Sequence, residues 1–138
     1  MKLVITDNRK IFALQEEFNK MFPYLKLQFF GKPSKAGGIP SKKLVKYPSH
    51  TVGECRTVHK SGSITVTPQM TVGELEQTFR DEYDLAVEVF RKSGKAWLGT
   101  SATDDWTLER QNRIGAEMEI SVSEEITEGN PPMTEDRS

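Results

Sequence analysis

The apolar positions of the chain change period several times, and each change marks an element. In "KLVITDNRKIFALQEEFNKMFPYLKLQFF" the pattern predicts strand, helix, strand. Ile11, Leu14, Phe18 and Met21 or Phe22 recur at helical spacing, with Asp7 or Asn8 as the expected N-cap and Pro23 as the stop. Leu25, Leu27 and Phe29 then alternate as the inward face of a strand does. After a stretch rich in Gly, Pro and Lys, residues 52–67 carry two Val/Thr runs around Lys60, Ser61 and Gly62, which predicts a hairpin. "TVGELEQTFRDEY" predicts a helix that opens with a Thr71/Glu74 capping box and buries Val72, Leu75, Phe79 and Tyr83. A second hairpin is expected to turn at Ser93-Gly94, and "TLERQN" supports a short helical turn. Met118, Ile120 and Val122 alternate with polar residues, the pattern of a half-buried strand. "ITDNRKIFALQEEF" also lies on "VTPQMTVGELEQTF" without a gap, matching Thr6 with Thr67, Leu14 with Leu75 and Phe18 with Phe79, so the chain is open to reading as a duplication.

The pattern divides the chain into a strand-helix-strand unit (1–31), a loop (32–51), a second α+β unit (52–122) and a disordered acidic tail (123–138) that is too poor in apolar residues to fold by itself. A total of 138 residues is enough for one core. The chain is 36% hydrophobic and 28% charged, too polar for a membrane protein. The single cysteine gives no disulfide framework, and the N-terminus lacks a secretory pattern, so a cytoplasmic location is expected.

Charge changes the picture more than composition does. Residues 1–60 hold 12 Lys+Arg against 4 Asp+Glu, whereas residues 61–138 hold 7 against 16. Segregation on this scale suits an anionic partner, an intramolecular match or self-association. The candidate cations are Lys32, Lys35, Lys42, Lys43 and Lys46 in the loop, with Arg56 and Lys60 close by. A Lys-rich loop spreads charge along a phosphate backbone and releases counterions.

Chemistry is sparser. "HTVGECRTVH" (50–59) holds both histidines and the cysteine. On a strand rising roughly 3.3 Å per residue, Cys55 and His59 would share a face yet stand about 13 Å apart, too far for one metal ion. No catalytic, metal or cofactor residues are assigned. "AGGIPSKK" lacks the spacing of a phosphate loop. Asp104 and Asp105 suit a turn or cap before "TLERQN"; Trp97 and Trp106 are candidates for stacking on a ligand, though large aromatics more often belong to the core.

From about residue 52 to 122 the expected order of elements resembles the ubiquitin-like β-grasp, above all in "SITVTPQMTVGELEQTF" and "DDWTLERQNRIGAEMEIS". The resemblance implies a β-grasp-like unit with the N-terminal unit packed beside it or forming a small subdomain. It does not extend to a carrier role: the chain ends in "TEDRS", and its Gly-Gly pair, Gly37-Gly38, lies inside the loop. One cysteine is too few for the cluster of a β-grasp ferredoxin. The expected class is therefore α+β with a mixed sheet, the alternative being a ferredoxin-like α+β sandwich of two related halves. The expected function is a non-catalytic cytoplasmic module that binds a protein partner and is open to self-association. The alternative is nucleic-acid binding through the Lys-rich loop, and no membrane association is expected.

Overall fold

The structure, a computed structural model, describes residues 1–31 and 49–128. Strand β1 (Lys2–Ile5) buries Leu3 and Ile5 and leads into helix α1 (Ile11–Met21), whose stripe Ile11, Leu14 and Phe18 is buried. Strand β2 (Leu25–Phe30) alternates buried Leu25, Leu27 and Phe29 with half-buried Lys26, Gln28 and Phe30. Beyond the loop come a 3-10 turn at Gly53–Cys55, β3 (Gly62–Thr65) and α2 (Val72–Tyr83). The hairpin of β4 (Ala86–Ser93) and β5 (Ala96–Gly99) turns at Gly94, whose φ of 61° suits glycine. A 3-10 turn at Ser101–Thr103 then precedes α3 (Leu108–Glu128).

The chain is α+β, as its pattern predicts, but its strands pair differently. β1 pairs with β3, and β2, β4 and β5 form a second sheet in that order, every pairing antiparallel. Each half of the chain therefore completes the other's sheets. Leu3, Ile5, Phe18, Leu27 and Phe29 from the first half share one core with Ile64, Leu75, Phe79 and Val89 from the second. Residues 52–122 thus share their core with the first half, and among the described residues the strands form two sheets rather than one.

The two halves repeat one set of hydrogen bonds. The Ile11 N–H donates to His50 O at 2.9 Å and the Val72 N–H to Trp106 O at 3.1 Å. Val52 donates to Arg9 O and Leu108 to Met70 O, each at 2.8 Å; Gly53 donates to Asp7 O and Glu109 to Pro68 O, each at 3.0 Å. Lys10 bridges to Thr51 just as Thr71 bridges to Thr107. Each helix also reaches the strand that follows it: Gln15 Nε2 donates to Leu27 O at 2.9 Å, and Glu76 Oε2 accepts from the Val89 N–H at 3.0 Å. The sequence register that aligns Leu14 with Leu75 and Phe18 with Phe79 thus coincides with a repeated backbone geometry.

Four local expectations are corrected. Residues 52–67 form no hairpin: the Val52–Arg56 segment turns tightly against Asp7 and Arg9, and β3 is left to pair with β1. Met118, Ile120 and Val122 lie in α3 rather than in a strand, so two of the elements behind the β-grasp resemblance take another form. The decisive spacing is helical, because Leu108, Gln111 and Gly115 are the buried positions of α3 as far as Glu119. Helix α3 also continues through Glu128 into the segment expected to be a disordered tail, whose remainder, 129–138, lies outside the described residues. Finally, the N-cap of α1 is Lys10, which supplies no side-chain cap, because Asp7 is engaged elsewhere and the His50 carbonyl accepts the Ile11 N–H. The α2 capping box forms as expected: Glu74 N donates to Thr71 Oγ1 at 3.1 Å, and Thr71 N donates to Glu74 Oε1 at 2.8 Å.

Candidate binding surface

The stretch from His50 to His59 works as a latch. Arg56 is fully buried; its Nε and Nη2 donate to Asp7 Oδ1 at 3.0 and 2.9 Å, and its Nη1 donates to Tyr83 O at 3.0 Å. His59 Nδ1 lies 2.9 Å from the other Asp7 oxygen. At the end of α2, Asp84 adopts a left-handed conformation with φ 54°, and its Oδ2 accepts from Thr57 N, Thr57 Oγ1 and Val58 N at 2.8 to 2.9 Å. Arg56, expected among the cations offered to an anionic partner, is therefore spent on tying the two halves together. Lys60 remains exposed and pairs with Glu82 at 3.1 Å. Lys32, Lys35, Lys42, Lys43 and Lys46 lie outside the described residues.

Three carboxyl groups of this region are held below their ordinary range. At Asp7 the His59 hydrogen bond is the largest cause and, with Arg56, outweighs desolvation. At Glu54 the Thr51 N–H dominates. At Asp84 desolvation pushes upward, but the Val58 and Thr57 donors together prevail. A carboxyl whose folded pKa is depressed contributes stability above its unfolded value, about 3.9 for Asp and 4.3 for Glu, and that stability is lost as pH falls through the folded value. Melting temperature is therefore expected to be flat just above these values and to drop once pH falls below about 4. Asp84→Asn, which tolerates the left-handed backbone, should make the drop shallower; a parent protein that melts alike at about pH 6 and pH 3 would contradict the latch.

Among the described residues there is no group of three or more His, Cys, Asp or Glu side chains placed to hold a metal ion. Cys55 is buried in a 3-10 turn rather than on a strand, and His59 is exposed. An open groove of about 610 Å³ runs beside α2, lined by Thr67, Met70, Glu74, Thr78, Asp81 and Glu82. At the matching place on α1 the Arg9 side chain instead pairs with Glu17.

The surface that stands out is the outer face of β2-β4-β5. The inward face of this sheet carries Leu25, Leu27, Phe29, Val87 and Val89, so alternation turns Lys26, Gln28, Phe30, Ala86, Glu88, Phe90, Lys92, Trp97 and Gly99 outward. The side chains of Phe30, Phe90 and Trp97 are partly exposed there. Lys26 Nζ stands 4.8 Å and Lys92 Nζ 5.8 Å from the centre of the Trp97 ring, within cation–π range. Lys92 also approaches Glu119 of α3 at 4.0 Å. A Cβ on Gly99 would stand 2.6 Å from Glu88 Oε2, so the missing side chain leaves that carboxylate room beside β5. Gln28 sits opposite Glu88.

Trp97 is thus part of an exposed sheet face and not of the core. Trp106, also only partly buried, lies with the Arg110 guanidinium carbon 3.8 Å and the Arg91 carbon 5.8 Å from its ring centre. Arg91 donates to Gln111 Oε1 at 2.8 Å, and buried Gln111 donates to Thr103 O at 2.9 Å, which docks α3 beside the sheet.

Comparison with protein-family models, with curated proteins and with solved structures finds no match to this chain. Among the described residues no helix is long and apolar enough to cross a membrane.

Proposed function

We propose that this protein is a non-catalytic binding module of the cytoplasm whose working surface is the outer face of β2-β4-β5. The observation that carries the reading is the placement of Phe30, Phe90 and Trp97, three large partly exposed rings on one face, with Lys26 and Lys92 against the Trp97 ring. Partly exposed aromatics cost the free protein their hydration and bring large contact area with few rotatable bonds, the properties of interface anchors. The ionisable cluster at Asp7, Arg56 and His59 fits a structural role, because the Asp7 carboxylate is taken up by two donors that join the halves.

The test is retention of cellular partners by the full chain, immobilised, at low and moderate salt, with and without nuclease. The parent protein should retain one or more species that the Phe90→Ser/Trp97→Ser variant loses, while circular dichroism shows both folded. Equal recovery by parent and variant, or recovery by neither, overturns the proposal.

A further inference from the structure

The same face also indicates the chemistry of its occupant. Phe90 lies opposite Gly99 and Lys92 opposite Trp97, so Phe90 and Trp97 are diagonal neighbours on adjacent strands. Such neighbours are separated by about 7–8 Å, far enough for each ring to take its own planar ligand. Lys26 neighbours Phe90 on the other side, so cations and rings interleave across three strands. Near the middle, Gln28 and Glu88 stand opposite each other and place amide and carboxylate groups between the Trp97 end and Phe30.

Stacking surfaces for flat rings, polar groups between them and ammonium groups beside them are what extended single-stranded nucleic acid needs. A protein partner fits less well, since lysine is depleted in the centre of protein interfaces, where its strongly hydrated ammonium would have to be stripped of water. Here two lysines crowd the exposed tryptophan of the edge strand β5. We infer that the outer face of β2-β4-β5 binds single-stranded nucleic acid, with bases stacked on Trp97 and Phe90 and phosphates neutralised by Lys26 and Lys92. The inference rests on the binding-module reading and adds the partner class to it.

The probe is a fluorescein-labelled oligothymidylate of about a dozen nucleotides, a length within the range covered by one single-strand-binding fold, followed by anisotropy on the full chain. Trp97→Ala and Phe90→Ala should each weaken binding about ten-fold or more. Lys26→Gln/Lys92→Gln should lower the magnitude of the slope of log K against log salt by about 1.4, the share of two phosphate contacts on a single strand. Leu98→Ala, at an exposed position turned to the opposite face of β5, should bind as the parent does. Trp97→Phe keeps a ring and should recover most of what Trp97→Ala loses, so that a folding defect is told apart from a lost stack.

No binding by the parent at low salt overturns the inference. So does binding that survives both alanine substitutions, or that disappears only when Lys42, Lys43 and Lys46 become Gln. If the parent binds no oligonucleotide yet retains a nuclease-resistant protein through Phe90 and Trp97, the partner class fails while the binding-module reading stands.

Discussion

Truncating Phe79 to Ala is expected to destabilise the protein by about 3 to 5 kcal/mol, the range for removing a fully buried Phe. Phe79 has no exposed surface and meets Phe29 edge-on, ring centres 5.8 Å apart and planes at 85°. Phe29 belongs to β2 and Phe79 to α2, so the contact crosses between the halves of the chain. A loss of that size is a large fraction of the 5 to 15 kcal/mol that typically holds a domain together. Urea denaturation of Phe79→Ala, Phe29→Ala and the double variant provides a cycle. Coupling of about 0.5 to 1.5 kcal/mol beyond area burial is expected for an edge-on pair. Strictly additive losses would mean that the halves do not share a core at this point.

Replacing Arg56 by Ala is expected to cost about 3 kcal/mol, the lower end for removing one partner of a buried ion pair. The lower end applies because the Asp7 side chain keeps 44% of its surface in water and its charge would not be stranded. What is lost is the bridge: two donors to Asp7, one to Tyr83 O and the packing of a side chain with no exposed surface. Arg56→Lys should recover only part of the loss, since a single ammonium cannot span both acceptors as the planar fork does. Lys60→Gln, at an exposed position, should change stability by less than about 1 kcal/mol. Thermal melting of the three variants checks the order, and an Arg56→Ala protein as stable as its parent would remove the latch from the account.

What was legible in the sequence was local, and what was not depended on partners distant in the chain. The stripes of α1 and α2, the Thr71/Glu74 box and the hairpin turning at Gly94 are written within a dozen residues each, and all are present. The segment 50–59 misled because Thr51, Val52, Thr57 and Val58 favour strands, whereas its backbone is captured by Asp7 and Arg9 far upstream. Residues 118–122 misled because a short alternation of apolar and polar residues is compatible with either period. The buried positions Leu108, Gln111 and Gly115 decide for a helix, and a polar Gln and a Gly carry no hydrophobic signal.

The candidate surface was hidden for a related reason. Lys26, Phe90 and Trp97 are far apart in sequence, and only the registers of β2 with β4 and of β4 with β5 place them on one face. Composition alone favours the core for Trp97 over a ligand-stacking role and gives the basic character to the loop. A usable signal was nevertheless present: β4 carries an aromatic, Phe90, out of phase with Val87 and Val89, which places it on the solvent side of a half-buried strand. The repeat was more legible than its three identities suggest. The matched positions include Ile11 with Val72 and Phe22 with Tyr83, all of them buried.

The central claim, that the outer face of β2-β4-β5 is the working surface, is tested most directly by mapping amide chemical shifts of the full chain as the same oligothymidylate is added. The account predicts shifts concentrated at residues 26–30, 86–92 and 96–99, with little change along α2 or at residues 50–60. Shifts confined to the Lys-rich loop, to the groove beside α2 or to the latch around Arg56 would contradict it.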